Sequence, residues 1–318
     1  SFPTRRSSDL AALAERGGED PALVAAARRD IETFTLLAEL DWDQVLAEVG
    51  GKAPREYGPV LANLPRWRGS SPFSFAELTE FYRANGAGLF ARHRAFLWED
   101  GALCPVEQPD CPGADEMLGY ELQRNRVIAN TRAMLEGNLV NNVLLYGDSG
   151  TGKSATVKNL LTLPGFEALR LIEVQKEGLA DLPRLIRTLG GRRLKFILFI
   201  DDLAFDQDDK TYSALKTILE GGLERRPANV AVYATSNRRR LVRQTFSDRA
   251  GDEVDASETI QEKTSLSDRF GLRIPYLALN QAEFLELVEG MAEQAGIALD
   301  RDSLRAEAVK WEMRNPGR

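Results

Sequence analysis

The sequence is poor in metal-ligating side chains, with two cysteines, Cys104 and Cys111, and one histidine, His93. A structural zinc site normally takes four Cys or His ligands, so these three cannot close one alone. The thiols are expected to be incidental residues of an exposed loop. Long apolar runs are also missing. The longest candidate, Phe196 to Ile200, has the length of a buried strand, far short of the roughly 20 residues of a membrane span. No membrane segment is expected. Positive charge is in deficit: 41 Lys and Arg against 48 Asp and Glu give a net charge of −7 and a pI near 5.1. A field of that sign repels nucleic acid, while a local basic patch remains compatible with binding it. There is no initiator methionine. Ser1 to Leu10, SFPTRRSSDL, resembles an in-frame translation of a sequencing-adapter oligonucleotide and is left out of the fold reading. The alternative, a short basic arm through Arg5 and Arg6, stays open.

What is present suits a globular chain of about two domains, with 318 residues, 43% of them hydrophobic and 28% charged, and a mean hydropathy of −0.31. Residues 11–102 are expected to form a helical N-terminal domain, with Ile31, Phe34, Leu37 and Leu40 at helical spacing ahead of Trp42. Ser74 stands three residues before Glu77 as a capping box. Trp67, Phe73, Phe75, Phe81, Tyr82, Phe90, Phe96 and Trp98 are expected to pack that domain's core. Residues 103–114 hold three prolines and few apolar side chains and read as a linker.

From 115 to 277 the texture changes to short apolar runs between helical stretches: Val143 to Tyr146, Leu169 to Val174, Phe196 to Ile200, Val230 to Ala234 and Leu272 to Leu277. Continuous Val/Ile/Leu runs separated by helices imply an α/β fold whose parallel sheet is covered on both faces. Residues 278–318 read as a small helical lid. It is capped by Asn280 and Glu283 ahead of Phe284, Leu287, Val288 and Met291, with Leu304, Ala308 and Trp311 on a second helix. The chain stops just after Asn315-Pro316-Gly317, in what reads as a turn, so this lid is expected to be cut short.

Gly147, Asp148, Ser149, Gly150, Thr151, Gly152, Lys153 and Ser154 fit G-x-x-x-x-G-K-[ST] directly after an apolar strand and directly before a helical stretch that opens at Ala155. The chemistry needs each part. Glycines let backbone N–H groups curl round phosphate oxygens, and a helix N-terminus adds positive potential. Lys153 is placed to reach the β- and γ-phosphates of ATP, and the Ser154 hydroxyl to ligate magnesium.

Asp201 and Asp202 end the strand Phe196 to Ile200, 48 residues past Lys153. A buried strand delivers such carboxylates to the sheet edge where the phosphates lie, so Asp201 is expected to hold magnesium through water. Asp202 is a candidate base or water-positioner; two solvated acids opening a polar loop with Asp206, Asp208 and Asp209 is the plainer alternative. Asn237 ends the strand that starts at Val230, 36 residues after Asp201, and an amide there can bond both phosphate and attacking water.

Together GDSGTGKS, FILFIDD, YATSN and SLSDRFG resemble the AAA+ ATPases. The resemblance is closest to an uncharacterised bacterial group of stand-alone P-loop ATP-binding proteins, over about residues 115–314. It implies a Walker A loop at Gly147 to Ser154 and a Walker B pair at Asp201 and Asp202. It further implies sensor 1 at Asn237, an arginine finger at Arg269 and an adenine-packing segment at Leu118, Gly119 and Tyr120. It also implies ATP and magnesium as ligands, and a homo-oligomer, with a ring as the family expectation. Most AAA+ members carry Glu at the position of Asp202, so hydrolysis follows less directly than binding. Arg269 also admits a plain reading as a surface arginine. No sensor 2 residue is assigned.

Asp248, Asp252, Glu253, Asp255, Glu258 and Glu262 surround a single Arg249, which reads as a solvated loop or a contact for a basic partner. Arg238 to Arg240, with Arg192 and Arg193, keep nucleic acid open as a partner that is not favoured. The expected function is a cytoplasmic ATPase coupling hydrolysis to the remodelling or switching of a macromolecular client, contacted by the helical N-terminal region. The alternatives are an ATP-dependent switch with little hydrolysis, a DNA-associated loader and, last, a small-molecule kinase.

Overall fold

The computed structural model describes residues 21–39, 41–52, 54–62, 74–113, 115–204, 215–216, 218–219, 226–237, 266–297 and 299–314. Outside them lie Ser1 to Leu10, Leu40, Trp67, Phe73, Asp206, Asp208, Asp209, Arg238 to Arg240, the acidic stretch 248–262 and Asn315 to Arg318, and so do the side chains of Phe34, Leu37 and Trp42. The chain divides into two compact units, Ser1–Gly88 and Leu89–Arg318.

The first unit holds helices α1 (Pro21–Glu39), α2 (Trp42–Lys52), α3 (Gly58–Ala62) and α4 (Phe75–Asn85). The capping box read from the sequence opens α4: Glu77 N donates to Ser74 Oγ at 3.1 Å, and Ser74 N donates back to Glu77 Oε2 at 2.9 Å. That pairing satisfies backbone donors which the first helical turn leaves without carbonyl partners.

The second unit begins with the short helix α5 (Leu89–Arg92) and the strands β1 (Ala95–Glu99) and β2 (Ala102–Val106). Then come α6 (Glu121–Leu135), β3 (Val143–Gly147), α7 (Lys153–Asn159), β4 (Leu169–Val174), α8 (Leu182–Leu189), β5 (Lys195–Ile200), β6 (Val230–Ser236) and β7 (Leu272–Tyr276). Helices α9 (Gln281–Gln294) and α10 (Arg301–Arg314) close it. Among the described residues the strands form one sheet in the order β2-β1-β4-β5-β6-β3-β7, parallel except for the antiparallel pair β1–β2.

Alternation along each strand feeds two cores. Phe196, Leu198 and Ile200 of β5 join Leu182, Leu185 and Leu189 of α8 on one face, while Ile197 and Phe199 join Val127 and Met134 of α6 and Val157 of α7 on the other. A strand apolar at every position is what a sheet buried on both faces requires. The fold is thus the mostly parallel α/β sheet with helices on both faces that the sequence suggested, with a helical C-terminal region.

Two expected boundaries move. Residues 95–99, read as part of a helical domain running to 102, form β1, which pairs in parallel with β4 (Ala95 with Leu171, Trp98 with Val174). Residues 103–106, read as the start of a linker, lie in β2. Phe90, Phe96 and Trp98 therefore pack in the core of the sheet, with ring centroids of Phe90 and Phe96 5.2 Å apart. Pro105 misled because proline usually breaks strands, yet β2 is an edge strand, where proline is tolerated. The rest of the presumed linker is strapped to the sheet unit: Asn159 Nδ2 of α7 donates to Pro112 O at 2.8 Å. Cys104 and Cys111 are half-buried, not exposed, and burial pushes the Cys111 thiol up.

The two C-terminal helices are joined by charge. Arg301 donates to Glu289 through Nε (2.9 Å) and Nη2 (2.7 Å), and Arg305 Nε donates to the same carboxylate. Hydrogen bonds from these two arginines hold Glu289 down at about 2. Because the folded value lies below the unfolded one, this contribution is fully present above the ordinary glutamate range and is lost as pH falls through about 2. Amide hydrogen exchange across α9 and α10 is therefore expected to accelerate as pH falls from about 4.5 towards 2 beyond its intrinsic pH trend, and Glu289→Gln is expected to abolish that excess.

Candidate functional site

The C-terminal ends of β3, β5 and β6 bring three of the sequence motifs to one sheet edge. β6 lies between β3 and β5, with Tyr146 opposite Ser236 and Ile200 opposite Ala234. From β3 the chain turns through Gly147 (φ 142°), Gly150 (φ 76°) and Gly152 (φ 81°) before α7 begins at Lys153. These positive φ values are costly for side chains with a Cβ. At Gly147 space adds a second constraint, since a Cβ there would lie 1.9 Å from Tyr276 O. Gly147→Ala is expected to cost at least about 1–3 kcal/mol, read as a lowered urea midpoint, and to weaken ATP binding.

The tip of the loop, Asp148 to Gly150, is exposed, whereas Lys153 is buried at 6% exposure. Lys153 Nζ donates to Gly147 O at 3.2 Å and Asp148 O at 2.6 Å. Burial pushes the ammonium down from its ordinary value, opposed by the negative field of Asp148, Asp202 and Asp201. Thr151 Oγ1 donates to Asp148 O at 2.9 Å, stiffening the loop from within. Gly152 caps α7 with no side-chain hydrogen bond, which leaves first-turn N–H groups facing the loop, and Ala155 follows half-buried in that turn.

Ser154 Oγ donates to Asp201 Oδ1 at 2.5 Å. Two hard oxygen groups side by side, one of them a carboxylate, are the kind of donor that magnesium takes, so these residues fit that ion. Asp202 has left-handed backbone (φ 47°), unusual for a residue other than glycine and frequent where a site imposes it. Asn237 Nδ2 donates to Asp202 Oδ1 at 2.8 Å, joining the end of β6 to the end of β5.

Leu118, Gly119 and Tyr120 line a cleft of about 660 Å³, shared with Leu277, Ala278, Glu283 and Leu287 at the base and face of α9. Tyr120 (φ 55°) stacks on Tyr276 at 4.9 Å and donates its hydroxyl to Leu277 O at 2.6 Å. Burial raises both phenols, Tyr276 to about 12. Asp148 connects the cleft to the glycine-rich loop: its N donates to Tyr276 O at 2.9 Å, and its Oδ2 accepts from Ala278 N at 2.7 Å. The cleft's α9 wall and this Asp148 bridge were not read from the sequence, because residues 130 positions apart meet only through tertiary structure.

Arg269 is not brought to the loop of its own chain. It sits in the turn before β7, and β7 runs from Leu272, opposite Val143, to Tyr276, opposite Gly147. Four residues of strand separate the two ends, about 13 Å at 3.3 Å per residue. Gly271 fixes that turn against β3's entry, as a Cβ there would lie 2.3 Å from Asn141 Oδ1. Ser149 is exposed at the tip of the loop.

A family model described as "Protein of unknown function (DUF815)" matches residues 91–318. Among solved structures the chain is similar to the RuvB Holliday junction branch migration motor of Thermotoga maritima. The two are 17% identical with a TM-score of 0.39, over 63% of this chain and 58% of that one. It is also similar to the ORC1 protein of Aeropyrum pernix, solved in complex with DNA, at 17% identity and a TM-score of 0.38, over 56% of this chain and 50% of that one. The chain thus spans less than two thirds of each. No curated protein matches it. Among the described residues no helix is long and apolar enough to cross a membrane.

Proposed function

The chain belongs to the DUF815 family, and we propose that it is a magnesium-dependent ATPase of the AAA+ type that acts as a homo-oligomer on a macromolecular client. The observation that carries this reading is the Ser154–Asp201 contact at 2.5 Å beside the buried Lys153. It joins the phosphate loop and the end of β5 into a single polar centre at the sheet edge.

The backbone of Gly147 to Ser154 would cradle the phosphates of ATP, with Lys153 on the β- and γ-phosphoryl oxygens. Ser154 and Asp201 would hold magnesium, which when bound neutralises charge developing on the phosphates. Asp202 would accept a proton from the attacking water, oriented with Asn237, as oxygen bonds to the γ-phosphorus and the bond to the β-phosphate oxygen breaks. Leu118, Tyr120 and Leu287 would pack around adenine in the cleft. Arg269, remote from its own loop, would complete the site of a neighbouring subunit. The helical N-terminal unit would contact the client, a protein rather than nucleic acid on charge grounds, in the cytoplasm.

Light scattering with a slowly hydrolysed ATP analogue and magnesium tests the binding and assembly parts together. The expected mass is a multiple of 35.3 kDa. A monomer saturated with the analogue would remove the shared-site reading.

A further inference from the structure

We propose that Thr235 is a positioning residue of the hydrolytic site, holding both strand-end aspartates in register through one hydroxyl. This rests on the ATPase reading given above and adds a residue to it. Thr235 is 1% exposed, near the end of β6. Its Oγ1–H donates to Asp201 Oδ1, and the same oxygen accepts from Asp202 N at 2.9 Å. One side chain thus touches the carboxylate of the first acid and the backbone of the second. Side chains alternate along a strand, so Thr235 and Asn237 leave β6 on the same side, and Asn237 Nδ2 meets Asp202 Oδ1 at 2.8 Å.

The neighbouring bonds show why a hydroxyl is needed there. Asp201 Oδ1 accepts from Ser154 Oγ at 2.5 Å, from Asp202 N at 3.1 Å and from Thr235 Oγ1. The first donor belongs to the phosphate loop and the second to the turn itself. Thr235 alone among the three belongs to the neighbouring strand, and it references the carboxylate to the sheet. The chain beyond is pinned to the same strand: Leu203 N donates to Thr235 O at 2.7 Å, and Ser236 Oγ donates to Leu203 O at 2.8 Å. The left-handed Asp202 (φ 47°) is therefore bracketed by Thr235 on both sides. A side chain of the same shape without the hydroxyl would let both aspartates drift at small cost in packing.

The test compares the full chain with Thr235→Val, which keeps the β-branched shape suited to a strand, and Thr235→Ser, which keeps the hydroxyl. Turnover and magnesium dependence are measured at saturating ATP, and thermal midpoints are recorded. Thr235→Val is expected to lower kcat about 10–100-fold, the size of a lost hydrogen bond to a charged group. It should leave the KM for ATP within about twofold and raise the magnesium concentration for half-maximal rate. Thr235→Ser should recover most of the rate with the wild-type magnesium dependence. Wild-type turnover in Thr235→Val, or equal losses in both variants, would overturn the proposal while leaving the ATPase reading intact. A wild-type chain that neither binds nor hydrolyses ATP would overturn both.

Discussion

Arg269→Ala is expected to bind ATP as the wild type does and to lose at least about 10³-fold in turnover, the size of effect an arginine supplied across an interface has on phosphoryl transfer. The geometry behind this is the placement of Arg269 before β7, at the strand end opposite Gly147. Within one subunit Arg269 precedes the β7 residue paired with Val143, four residues of strand from the one paired with Gly147, so on the proposed reading the charge it adds would serve the loop of a neighbouring subunit. Mixing separates this from an indirect effect. Random hetero-oligomers of Arg269→Ala with Lys153→Ala would pair an intact loop from one subunit with an intact Arg269 from the other at about a quarter of the sites, as a head-to-tail interface demands. Turnover should reappear on mixing two inactive proteins. Absence of any recovery would place Arg269 outside the reaction.

The second large effect is at Lys153. Its ammonium is buried and donates into the loop carbonyls of Gly147 and Asp148, while three nearby carboxylates, those of Asp148, Asp202 and Asp201, draw on it electrostatically. Lys153→Ala leaves these acids without their cation exactly where ATP would bring more negative charge. Affinity for ATP is expected to fall about 100-fold or more, within the range for truncating one partner of a buried charge contact, and turnover with it. Titration calorimetry reads the first and a phosphate-release assay the second. Lys153→Arg tests whether charge alone suffices. The planar guanidinium does not reproduce the point charge of an ammonium, so little recovery is expected.

Much of the sheet could be read from the sequence because β3, β5 and β6 are largely unbroken apolar runs, as the buried strands of a doubly covered parallel sheet are. β1 and β2 could not. Ala95–Glu99 shows only one strand-like i, i+2 aromatic pair, Phe96 and Trp98, beside a helix-rich stretch, and Pro105 suggested a break, while the parallel partners of β1, Leu171 to Val174, lie some 75 residues on. At the site, the pattern G-x-x-x-x-G-K-[ST] and the acids at the end of β5 carry their own signal, since loop glycines and strand-end carboxylates are local features. Thr235 also had a signal, the two-residue spacing that puts it on the same side of β6 as Asn237, but a threonine in a buried strand is ordinarily just a β-former. The wall that α9 contributes to the cleft and the bond from Ala278 N to Asp148 Oδ2 had none.

The central claim, that the loop Gly147 to Ser154 and the acids Asp201 and Asp202 form a hydrolytic ATP site, is met most directly by a single-turnover experiment with the chain in excess over labelled ATP. The account predicts conversion to ADP and phosphate with magnesium, none after chelation and none for Asp201→Asn. ATP left intact by the wild-type chain with magnesium present, under conditions where it is fully bound, would contradict it.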